Sequence, residues 1–105
     1  MPQYAVLQHH PPDNCPLANK AVRGFVQQAL TNLPRLEQEL RVKTILNIHL
    51  DPGHKALMVL DAPTAEAARD FLVRGGFMHF TDMEFHLVTP VEELLRNADQ
   101  FPTVY

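Results

Sequence analysis

The chain has 105 residues, 46% hydrophobic and 20% charged, which suits one globular core and is too little for two, so a single domain over 1–105 is expected. Nine Lys and Arg against twelve Asp and Glu leave a formal charge of −3 with no basic run, which argues against nucleic acid as a partner. No apolar stretch approaches the roughly 20 residues that cross a bilayer, and the single cysteine has no partner within the chain, so no membrane and a reducing cytoplasm are expected.

Tyr4 to His9 is a short, apolar, partly β-branched run that Pro11-Pro12 stops, which predicts a first strand. Pro16 suits the first position of a helix, where its missing N–H would be unpaired anyway, and this makes Cys15 the expected N-cap. Leu17, Ala21, Phe25, Ala29 and Leu30 then recur at three- and four-residue spacing, predicting an amphipathic helix over 16–31. Pro34 is expected to break it, with Leu36 and Leu40 on a further short helical stretch. Residues 43–50 alternate, Thr44, Leu46, Ile48 and Leu50 on one side against Ile45, Asn47 and His49 on the other, as in a strand with one buried face. Asp51-Pro52-Gly53-His54 reads as a type II turn into a hairpin partner, Lys55–Asp61. Thr64 can cap a second helix with Ala65, Ala68, Phe71 and Leu72 on its apolar side, and Gly75-Gly76 ends it. A fourth strand over Met83–Val88 follows, and Thr89-Pro90-Val91-Glu92 reads as a capping box opening a short C-terminal helix, about 90–98.

Strand, helix, strand, strand, helix, strand is the ferredoxin-like order, an α+β fold (βαββαβ) with an antiparallel sheet in the order 4-1-3-2 and two helices on one face. That leaves the other face open. Ile45, Met58 and Leu60 alongside Leu46, Leu57 and Val59 make both strand faces apolar, which predicts a homodimer that covers it.

The same topology gathers histidines. His9 and His10 end the first strand, His49 ends the second, His54 lies in the turn and His79 precedes the fourth strand, so five of the six share one end of the sheet with Cys15. His9-His10-Pro11-Pro12-Asp13-Asn14-Cys15 joins two imidazoles to a thiol through a stiff loop, a donor set for nickel, copper or zinc, and a helix N-terminus at Cys15 would favour its thiolate. His10 and Cys15 are the first-choice ligands, with His9, His49 and His79 as further candidates; His49, His54 or His79 would supply a third or fourth donor. Edge strands about 14 Å apart, at three interstrand spacings, keep all of these from sharing one ion. The same residues also suit a polar loop over a small buried cysteine, and a lone cysteine at a helix start suits thiol chemistry. Glu84, His86 and His49 offer a different reading, acid, base and anchor of a small cofactor-free enzyme in a cavity between sheet and dimer partner.

Tyr4-Ala5-Val6-Leu7, the hairpin strand ending Met58-Val59-Leu60-Asp61-Ala62-Pro63, the helix Thr64–Arg74 and Gly75-Gly76 together resemble the small bacterial ferredoxin-like proteins that include a nickel-responsive, nickel-binding member. The resemblance covers residues 4–89 as a layout and implies the ferredoxin-like fold, dimerisation and metal binding. It does not extend to the His9–Cys15 loop or the segment after Pro90, and it assigns no ligand by position.

Overall fold

Alternation along Gln3–His9 forms β1, at the centre of a four-stranded antiparallel sheet with β2 (Lys43–Leu50), β3 (Lys55–Asp61) and β4 (Asp82–Val88) in the order β2-β3-β1-β4. This is the ferredoxin-like order read from the other edge. The computed structural model describes residues 1–105. Helices α1 (Lys20–Leu40) and α2 (Ala65–Arg74) cover one face. There Tyr4, Val6, Met58 and Leu60 of the sheet meet Leu33 and Leu36 of α1 and Ala68, Phe71 and Leu72 of α2 in one buried cluster. No helix is long and apolar enough to cross a membrane.

Three local expectations are corrected. The N-cap of α1 is Asn19 rather than Cys15, and its side chain accepts the Val22 N–H at 3.1 Å while its own amide donates to the Asp13 carbonyl at 2.9 Å. Arg23 then clamps the preceding turn by donating to the carbonyls of Pro16 (2.8 Å) and Leu17 (2.7 Å), so residues 16–18 stay outside the helix. Secondly, Pro34 does not break α1, which runs through it to Leu40. The proline forfeits one backbone hydrogen bond, but Leu33 and Leu36 beside it are the buried residues of this helix, and their packing outweighs that loss. Thirdly, the C-terminal helix α3 (Val91–Arg96) starts after Pro90 with no side-chain cap, so the capping box does not form.

A fourth difference moves side chains between faces. The β2–β3 register shifts between Thr44 and Leu46, with Thr44 opposite Leu60 and Leu46 opposite Val59. One extra residue on β2 therefore reverses the alternation beyond it. Leu46 and Ile48 join Val59 and Leu57 on the open face, while Asn47 and His49, opposite Met58 and Ala56, face the helices.

After α2, Gly76 takes φ 86° with its α-carbon against the Phe25 ring: an added Cβ would sit 2.7 Å from Phe25 Cζ. Glu39 ties the two helices together, accepting from Arg74 Nη2 at 2.6 Å and from Arg35 Nη1 at 2.9 Å. The Arg74 hydrogen bond, helped by the Arg35 charge and opposed by partial desolvation, holds the Glu39 carboxyl below the ordinary carboxylate range. Because the folded value is the lower one, this stabilisation is fully present above the ordinary value of 4.5 and is lost as the pH falls through the folded value. Glu39→Gln is therefore expected to be slightly less stable than the parent at neutral pH and to converge with it in acid, as read from urea unfolding at several pH values. A gap of constant size across pH would show that charge plays no part.

Candidate metal centre

Strand β1 places Tyr4, Val6 and Gln8 on the helix-covered face, and continuing that alternation by one more step brings His10 inward, 5% exposed. The His10 N–H donates to the His54 carbonyl at 3.1 Å, which fastens the end of β1 to the turn that opens β3. A single turn of 3-10 helix, Pro12–Asn14, then reverses the chain, and the Cys15 N–H closes it on the Pro12 carbonyl at 3.1 Å. The Cys15 carbonyl in turn accepts from the N–H groups of Ala18 (3.0 Å) and Asn19 (2.8 Å). Two prolines and these bonds hold a thiol that is buried and forms no disulfide.

The result is a group of three donors. One ring nitrogen each of His10 and His54 and the Cys15 sulfur all lie within 4.8 Å of one another, His10 and Cys15 buried and His54 half-buried. The two rings meet edge to face with centroids 5.2 Å apart. Within this packing His10 Nε2 and His54 Nδ1 are both shut off from solvent with no hydrogen-bond partner. A buried polar atom without a partner costs about 1–3 kcal/mol, so two of them beside one thiol call for an occupant that can bond to both. Burial, and next the positive charge that His54, His49 and His9 would add, lower the pKa of His10 from its ordinary value. Its imidazole is thus held in the neutral form that ligates metals. Two imidazoles and a thiol can hold a transition-metal ion with one coordination position left over.

Of the other sequence candidates, none joins this group. His9 alternates to the open face, opposite Lys55 on β3 and Asp82 on β4. His49 faces the helices and its Nδ1 lies 2.5 Å from Asp51 Oδ1. His79, in the 3-10 turn Phe77–His79, sets its ring edge-on to Phe25 at 5.2 Å and is exposed. Glu84 and His86, opposite Leu7 and Ala5, lie on the open face, the side away from His49, so these three do not surround one cavity within the chain. His54 is the member the sequence ranks lowest. Its signal is its place in the β2–β3 turn, at the same end of the sheet as the end of β1.

No protein-family model and no curated protein matches the chain. Among solved structures it is similar to a REP-associated tyrosine transposase bound to a REP hairpin, with a TM-score of 0.52 and 6% identity over 93% of this chain. The chain spans 62% of the length of that one. At this identity the likeness is one of fold alone.

Proposed function

We propose that this chain binds nickel, copper or zinc through His10, Cys15 and His54, as a cytoplasmic homodimer engaged in metal sensing, sequestration or delivery. The observation that carries the reading is the convergence of a ring nitrogen each of His10 and His54 on a buried thiol, in rings that each bear a buried nitrogen without a partner. Nitrogen and sulfur donors favour these metals over magnesium or calcium, which take oxygen. The resemblance to the nickel-responsive family points the same way. Three ligands rather than four leave the ion exchangeable, which suits transfer better than a permanent structural role. The structural neighbour was solved bound to a REP hairpin; for this chain a formal charge of −3 with no basic run argues against a phosphate backbone as partner.

The dimer part of this reading is supported by the open sheet face. Leu7, Leu57 and Val59 at its centre are half-buried by their neighbours alone, and Ile48 and Leu50 beside them are exposed at 42% and 37%. A second copy packed about a two-fold axis would remove this strip from water. The cofactor-free enzyme reading has no support of this kind, because its residues lie on opposite faces.

The test is the metal content of untagged protein purified without chelators, followed by titration of the metal-free form with nickel, copper and zinc. One ion per chain is the expected result, with a sedimentation mass of two chains. No ion above background and no tight uptake would overturn the metal reading; a monomer at micromolar concentration would overturn the dimer.

A further inference from the structure

Beside the candidate metal centre the fold leaves a cleft. The apolar stripe of α1 is buried only in its C-terminal half, at Leu33 and Leu36, whereas Val26 is half-buried and Leu30 is 47% exposed. The N-terminal half of the helix therefore stands off the sheet. Below it, cross-strand register sets Gln8 of β1, Ala56 of β3 and His49 of β2 in one row on the same face. Alanine at the centre of that row leaves the space, and a cleft of about 380 Å³ opens there, with His10 and Cys15 in its wall. Val26, Leu30, Phe77 and Phe80 make its apolar side. This volume is within the range of small-molecule sites, roughly 300–1,000 Å³.

A second observation is independent of the metal ligands. Gln8 is 4% exposed, lines the cleft, and its Nε2 is buried with no hydrogen-bond partner. Of its cross-strand neighbours, Ala56 has no side-chain acceptor and Met83 has only a weakly accepting thioether, which makes no hydrogen bond to it. An amide donor held dry in this way lacks the acceptor that an oxygen entering by the cleft would supply. At the rim, the Asp51 carboxylate is paired with His49 Nδ1 and its side chain is 83% exposed, so its charge lies largely in water.

We infer that the cleft takes a small organic monocarboxylate with an apolar body, one oxygen accepting from Gln8 Nε2 and the carboxylate completing the shell of the ion held by His10, Cys15 and His54. The inference rests on the metal reading above and adds to it a ligand class. A divalent ion with one thiolate keeps a positive charge, which favours an anionic oxygen at the remaining position. The apolar wall asks for a hydrocarbon group on the acid, so benzoate should bind more tightly than acetate.

Cobalt(II) reports both halves separately, because its thiolate charge-transfer band shows loading and its ligand-field bands respond to a new fourth ligand. Cobalt-loaded protein titrated with benzoate is expected to show a saturable change in the ligand-field bands. Gln8→Met, which keeps the side-chain volume and removes the donor, should weaken benzoate by about tenfold with cobalt loading intact. Ala56→Phe should fill the cleft and abolish the response. A thiolate band present with no response to benzoate would overturn the cleft proposal and leave the metal centre standing. An undiminished response in Gln8→Met would equally overturn it, by placing the acid elsewhere. Absence of the thiolate band at saturating cobalt would overturn both readings.

Discussion

Cys15→Ser is expected to weaken metal binding by on the order of a hundredfold or more, while far-UV circular dichroism stays that of the parent. The thiol is 4% exposed and its backbone, not its sulfur, makes the hydrogen bonds that shape the loop, so serine can take its place sterically. What serine cannot supply at neutral pH is an anionic, polarisable donor. Competition against a chromophoric chelator would measure the change. His10→Asn and His54→Gln should each lose affinity as well, and His79→Ala, whose ring packs on Phe25 away from the group, should not. Unchanged affinity in the serine variant would remove Cys15 from the site. Since every ligand binds in its deprotonated form, lowering the pH should release the ion in the parent protein.

The second large effect concerns the core. Phe71 of α2 is fully buried between the sheet and α1, its ring 6.4 Å from that of Phe77. Phe71→Ala is expected to cost about 3–5 kcal/mol, part in lost transfer free energy and part in the cavity left behind. A domain of this size has about 5–15 kcal/mol in all, so the variant should unfold at much lower urea and fall toward the threshold of folding at physiological temperature. Phe77 links this core to the cleft, so benzoate binding should weaken with the packing. Loss of less than about 1 kcal/mol would show that the helices collapse onto the gap or that this residue is not central.

Much of the architecture is legible in the chain because its signals are local. Pro11-Pro12, Thr64, Gly75-Gly76 and the alternation of Lys55–Asp61 each act through backbone geometry within a few residues, and all four strands and α2 stand where those signals place them. The element order then carries the sheet order, since antiparallel neighbours and crossovers over one face leave few alternatives. His10 and Cys15 were also accessible this way, as donors at the ends of elements that this topology brings to one end of the sheet.

What remained was decided by packing between distant segments. Pro34 stays in α1 because Leu33 and Leu36 find the sheet, an energy that no local propensity contains. Cys15 sits outside the helix because Asn19 and Arg23 together organise the preceding turn. The bulge after Thr44 turned Asn47 and His49 toward the helices, and a one-residue shift of register is invisible in a sequence that is apolar on both faces. The third donor, His54, was settled by the hydrogen bond from the His10 N–H to its carbonyl, made between residues 44 positions apart. Composition and periodicity determined the fold and brought the donors to one end; only the tertiary contacts could choose which three converge, because ligation requires side chains to meet within a few ångströms and register sets that distance.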